Sequence, residues 1–237
     1  MRRSSPNNFQ HIFEFKDLTS GITNHLKQVY GTLSIGCLCA AATCMWTPAA
    51  LVNNFGFLLL SIIGTIGLIF TMFAKRGNQD HGTKFLCFLG VASITGAGLR
   101  PLLERAAEID PAIIVNALVY TGIIFGSFTF ASLKTKRRSM LFIGGFCGSV
   151  MLGLSTTLLF SWIFGLHLIS HLAYSVITLV VFSLYVIYDT QLIVEKASRG
   201  DLDYNLHALE LFIDVVEIFT RLVIILMELS DKKKKDK

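Results

Sequence analysis

The chain is poor in charge. Asp, Glu, Lys and Arg make up 16% of its 237 residues, against about 25% in soluble domains. None of the four occurs from residue 28 to 74 or from 139 to 188, which excludes an ordinary soluble domain. About 20 apolar residues cross a bilayer, so each run has room for two spans and a turn. No basic stripe interleaved with aromatics is present, which excludes a nucleic-acid surface. The cysteines are few, and Cys37, Cys39, Cys44, Cys87 and Cys147 all fall in apolar stretches. They read as packing thiols rather than as a disulfide or metal framework. The first 28 residues are polar and mixed in charge, so no secretory leader is expected. No serine-nucleophile motif, phosphate loop or haem ligand set stands out, so neither an enzymatic role nor a cofactor is expected. His167 and His171 have a spacing that suits zinc, but no third ligand is evident on the same side, and no metal site is expected.

What is abundant is apolar: 53% hydrophobic residues and a mean hydropathy of +0.61. The expected fold is all-α, a polytopic membrane bundle of six to seven transmembrane helices. Six spans are expected at about Tyr30–Thr47, Phe55–Ala74, Phe85–Glu104, Ala112–Leu133, Met140–Phe160 and Ile169–Tyr188. The third is expected to be interrupted near its end by Arg100 and Pro101. A seventh candidate is Ala208–Leu226. The division is then an N-terminal segment (1–29), a membrane bundle (30–227) and a lysine-rich tail (228–237). Residues 1–8 read as disordered and 9–29 as an amphipathic lead-in helix. Lys and Arg count thirteen in the N-terminal segment and alternate loops, and two in the other loops. The positive-inside rule then puts the N-terminus in the cytosol. The same rule favours a cytosolic tail, because Lys232, Lys233, Lys234, Lys235 and Lys237 lie there. A re-entrant last helix, enclosed by protein, would reconcile the two.

That last helix is the unusual one. "ALELFIDVVEIFTRLVIIL" carries Glu210, Asp214, Glu217 and Arg221, at an insertion cost of roughly 2.5–3.5 kcal/mol for a charge at the bilayer centre. At about 100° per residue, Asp214, Glu217 and Arg221 fall within about 40° of Glu210. The four make a polar stripe suited to the interior of a bundle. Glu217 and Arg221 have the favourable acid-first i,i+4 order of an ion pair. Asp214 has no cation at three or four residues' distance and needs a partner elsewhere. Asp189, in "YVIYDTQLIVEKA", is the best candidate. Two carboxyls in a low-dielectric site tend to share one proton. Protonated, such a pair is a hydrogen-bonded latch; doubly ionised, it repels itself and offers hard oxygens to a cation. The alternative is that Asp189 only marks a helix end at the interface.

"HLKQVYGTL" (25–33), "KRRSMLFIGG" (136–145), "YDTQLIVEKASRGDLDY" (188–204) and "HALELFIDVVEIFTRLVIIL" (207–226), with a lysine-rich end, resemble the Bax inhibitor family of transmembrane Bax inhibitor motif proteins. The likeness runs from about residue 25 to 237, to the endoplasmic-reticulum cell-death suppressor branch and to plant members above all. It implies a six-to-seven-helix bundle around a central last helix. It also implies an aspartate pair, at Asp189 and Asp214, acting as the pH sensor of a calcium leak. Calcium would be the transported ion, and Glu217–Arg221 would brace the sensor. The endoplasmic-reticulum membrane is the implied location. The tail ending Lys234-Lys235-Asp236-Lys237 resembles a dilysine retrieval signal. Besides the lipid bilayer, the implied partners are membrane proteins of cell death or calcium signalling, and cytosolic calcium sensors bound by the tail.

Two positions depart from the family pattern: Arg100 and Tyr120 stand where Gly is usual. Glu210 and Glu217 also look additional. An Arg in place of a small residue is expected to hinder close helix packing. These departures keep open a second reading, a non-transporting interaction protein that regulates cell death and stress signalling. In the fifth span, Gly144 and Gly148 form a small-xxx-small pair, which points to tight packing.

Overall fold

The computed structural model describes residues 20–75, 80–135, 141–166 and 168–235. Residues 1–19, 76–79, 136–140, His167, Asp236 and Lys237 lie outside it, and with them most of the lead-in segment, most of the basic fourth loop and half of the histidine pair. Eight helices follow one another: α1 (Ser20–Trp46), α2 (Ala49–Val52), α3 (Phe55–Ala74), α4 (His81–Ile109), α5 (Ala112–Lys134), α6 (Phe142–Phe164), α7 (His171–Ser198) and α8 (Tyr204–Lys235). Among the described residues there is no strand. Six of the helices, α1 and α3 to α7, are long and apolar enough to cross a membrane.

The expected spans are all present as helices, but several run longer. Helix α1 begins at Ser20, so part of the expected lead-in belongs to the first span, and α8 continues through 228 into the tail. Helix α4 is not interrupted at Arg100 and Pro101. Proline removes one backbone donor and crowds the preceding turn, yet here the helix continues two more turns to Ile109. Helix α7 runs ten residues past Tyr188. Asp189 therefore sits within a helix, which corrects the reading of it as a helix end.

Helix α8 is central. It packs against α1, α4, α5 and α7, while α3 flanks α4 and α6 flanks α7. The outer helices expose large apolar side chains, such as Leu60, Ile63 and Phe70 of α3 and Phe146 and Leu152 of α6. In a bilayer these meet acyl chains rather than water. Close approach between helices is made by glycines. A Cβ on Gly96 would stand 2.1 Å from the Ala40 carbonyl oxygen, and one on Gly144 would stand 2.4 Å from the Tyr188 ring. The expected tight packing at Gly144 is thus against α7.

Two apolar clusters line up along α8. One gathers Val29, Phe88, Leu211 and Phe212, with the Phe88 and Phe212 rings edge to face at 5.6 Å. The other gathers Ala117, Val186, Ile218 and Val223. Asp214 lies between them in the chain.

The ends of α8 define its course. At its start Asp203 caps the helix, its Oδ1 accepting from the Leu206 N–H at 3.3 Å, and pairs with buried Lys84 of α4. There too His25 Nε2 of α1 meets His207 Nδ1 at 2.8 Å, and the His81 and Tyr204 rings stack. At its other end Lys234 Nζ donates to the Ile109 carbonyl, the last residue of α4, at 2.8 Å. Helices α4 and α8 therefore run side by side in the same direction. Thirty-two helical residues measure about 48 Å, enough to cross a bilayer. Helix α8 is continuous to Lys235 but is not among the six helices apolar enough to cross by composition, and Lys234 stands at the end of the bundle opposite the start of α1.

Candidate functional site

The polar stripe of α8 faces its neighbours, as its spacing predicts, and each member finds a different environment. Glu217 Oε2 accepts from Arg221 Nη2 at 2.8 Å, the expected i,i+4 pair. The Arg221 guanidinium also lies over the Tyr174 ring of α7, 5.1 Å from its centroid. Glu210 Oε1 accepts from Lys196 Nζ of α7 at 2.6 Å. Sequence reasoning missed this partner, although the signal was present. Lys196 follows Asp189 by seven residues, about 20° short of two full turns, so both share the face of α7 that meets α8.

Asp214 is buried, 3% exposed, and its carboxyl interacts with that of half-buried Asp189 across the α7–α8 contact. Asp214 Oδ2 is buried without a hydrogen-bond partner. Glu210 adds a third negative group close enough to act on both aspartates, and Lys196 a compensating positive one near Asp189. Tyr185 and Cys147 stand within electrostatic range of both aspartates. The Cys147 thiol lies 3.8 Å from the Val181 carbonyl oxygen. The sequence-predicted residues Asp189, Asp214 and Glu210 are therefore brought together, while Glu217 and Arg221 stand further along α8 against the start of α7.

Next to Asp189 is a second polar group that the sequence did not announce. The buried hydroxyls of Tyr30 (α1), Thr129 (α5) and Thr190 (α7) face one another, the tyrosine interacting with both threonines. On the far side of α7, Ser132 Oγ donates to the Ile187 carbonyl at 2.9 Å, and Gln191 Nε2 reaches the Ser132 carbonyl at 3.4 Å. These bonds hold α7 to α5 and so hold the turn that carries Asp189. Hydroxyls and carboxyls are costly in an apolar interior unless they partner one another. Their clustering here marks a polar patch in the middle of an otherwise apolar bundle.

Arg100 does not obstruct that interior. Its Nη1 donates to the Cys44 and Met45 carbonyls at 2.9 and 2.7 Å, and its Nε to Glu104 at 2.6 Å. Arg100 thus satisfies carbonyls that the last turn of α1 leaves open. Tyr120 points outward, 45% exposed. The expectation that Arg100 hinders helix packing is corrected: close approach of α1 and α4 is made at Gly96, one turn away. Of the tail, Lys232, Lys233 and Lys234 are exposed, and the side chain of Lys235 lies outside the described residues.

Comparison with known proteins agrees with this architecture. Residues 22–231 match the family model described as inhibitor of apoptosis-promoting Bax1. The chain is 38% identical over 232 residues to a probable Bax inhibitor 1 of Paralichthys olivaceus, covering 96% of this chain and 95% of that protein. It is 36% identical over 249 residues to Bax inhibitor 1 of Homo sapiens, covering 97% of each. With Bax inhibitor 1 of Oryza sativa it shares 34% over 232 residues, 97% of this chain and 90% of the relative. Animal relatives match at identities no lower than the plant one, so the likeness is to the family at large rather than to its plant members. A family model that matches nearly the whole chain, and relatives 34–38% identical over almost their full length, show where it stands: it belongs to the Bax inhibitor family.

Proposed function

We propose that this chain suppresses programmed cell death from the endoplasmic-reticulum membrane, as a pH-sensitive calcium leak that lowers the luminal calcium load. The observation that carries the reading is the Asp189–Asp214 pair, which sits between two apolar clusters and beside a group of buried hydroxyls. With a shared proton the pair latches α7 to α8. Fully ionised, it repels itself and presents hard oxygens, the ligand type calcium prefers. The flux then rises as pH rises through the midpoint of the pair. Cell-death suppression is supported by the names of the relatives, and the leak by the site. The non-transporting alternative rested on Arg100 and Tyr120, and both stand away from the pair.

The thirteen-to-two distribution of Lys and Arg supports a cytosolic N-terminus. The same count keeps the lysine-rich tail in the cytosol, within reach of retrieval and of calcium sensors, unless α8 crosses the bilayer with the bundle it follows. Protease protection of a tag fused after Lys237, in sealed microsomes, tests this: digestion without detergent puts the tail in the cytosol, and protection puts it in the lumen.

The leak is tested in proteoliposomes loaded with a calcium indicator, from about pH 6 to pH 8, since two carboxyls that share a proton titrate as a pair. Wild-type flux that rises with pH, and a flat profile for Asp189→Asn and Asp214→Asn, is the expected result. A folded wild type that carries no calcium at any pH sinks the leak. The stripe then counts as architecture alone.

A further inference from the structure

Helices α6 and α8 pack on α7 from two sides and leave a cleft between them. It encloses a cavity of about 520 Å³ at the α6–α7 turn, lined among others by Ser161, Trp162, His171, Tyr174, Arg221 and Ile224. Nothing in the leak mechanism uses it. Two features set it apart from the apolar grooves that any membrane bundle presents to lipid.

The first is a pair of buried hydrogen-bond donors with no acceptor. Arg221 gives Nη2 to Glu217, but its Nε is buried and unpartnered, and so is the Ser161 hydroxyl. Both residues line the same cavity. A buried donor without an acceptor costs about 1–3 kcal/mol, so two on residues that line one cavity favour a ligand that carries acceptor oxygens and that these side chains turn to meet. The second feature is location. The cleft lies where α6 ends at Gly165, in the left-handed conformation (φ 64°), and α7 begins at the Ser170 cap. Trp162 is 82% exposed beside it, as an aromatic of the interfacial belt would be. Exposed Leu158 continues the α6 wall away from the turn.

We propose that this cleft seats the phosphate of an anionic phospholipid, with Arg221 and Ser161 as donors and its acyl chains along the apolar wall of α6. The Tyr174 ring holds the guanidinium in place, and His171 at the mouth can add a third donor. Glu217 is the one carboxylate at the site, and it is occupied by Arg221. A free phosphate would use the same donors but has no use for the apolar wall, which favours the lipid.

The test uses the full chain with Trp46→Phe, which leaves Trp162 as the only tryptophan, in phosphatidylcholine vesicles. Brominated phosphatidylglycerol or brominated phosphatidylcholine is titrated in, and quenching of Trp162 is followed. Phosphatidylglycerol should be preferred, and Arg221→Gln combined with Glu217→Gln, which leaves no lone buried charge, should lower that preference about ten-fold, the loss of one charged hydrogen bond. Ser161→Ala, which removes no charge, should lower it less, and it keeps the test available if the double variant fails to fold. Equal quenching by the two lipids, or a preference that survives both variants, overturns the proposal. Competition by millimolar inorganic phosphate overturns it in favour of a soluble anion.

Discussion

Lys196 of α7 holds Glu210 of α8 at 2.6 Å, on the same helix faces that bring Asp189 to Asp214. The ion pair is about one-third exposed, so its own contribution to stability is small. Lys196 also acts electrostatically on Asp189, one member of the carboxyl pair.

Replacing Lys196 by Gln removes a positive charge near Asp189 and frees Glu210 as an uncompensated negative one. Both changes disfavour the doubly ionised pair, so the midpoint of calcium flux moves to higher pH. Flux profiles of wild type and Lys196→Gln in matched proteoliposomes check the sign. A midpoint that moves to lower pH contradicts it.

The Lys84–Asp203 pair ties α4 to the start of α8, and Lys84 is 3% exposed. Removing one partner leaves a buried charge, so Lys84→Met should cost about 3–5 kcal/mol. Adding Asp203→Asn should recover a large part of that loss, because no lone charge then remains. A double-mutant cycle by denaturant unfolding in detergent measures the coupling.

Gly96 and Gly98 make a paired test of helix contact. A Cβ at Gly96 collides with the backbone of Ala40, while one at Gly98 meets nothing within 4 Å. Gly96→Ala should therefore destabilise by about 1–3 kcal/mol through forced separation of α1 and α4. Gly98→Ala should be neutral or stabilise by up to about 1 kcal/mol through helix propensity. Melting temperatures of the two variants in the same detergent distinguish them.

Arg100→Gly restores the family's usual residue. Since Arg100 caps α1 and does not line the carboxyl site, the substitution should cost about 1–3 kcal/mol of stability and leave the pH midpoint of the flux where it is. Thermal unfolding and flux on the same preparation test both halves. A leak that appears only in Arg100→Gly would show that the arginine blocks transport.

The number of helices, their approximate places and the inward stripe of α8 were legible in the chain itself. Long uncharged runs have one low-energy environment, a bilayer, and charges repeating at helical period within an apolar helix must turn toward the bundle. The i,i+4 pair Glu217–Arg221 was legible for the same reason: helical geometry alone brings its members together. What the tertiary structure decided were relations between helices that periodicity does not encode. It placed Asp189 inside α7 rather than at its end, and it matched Glu210 with Lys196 and His25 with His207. It turned Arg100 from an obstacle into a cap, because a long flexible side chain can reach a neighbouring helix terminus that sequence spacing does not locate. It also carried the lysine tail to the end of the bundle opposite the start of α1. Counting charges speaks to the side of a membrane, while only the packing of the α8 stripe against α1, α4, α5 and α7 sets which neighbours each end of that helix meets.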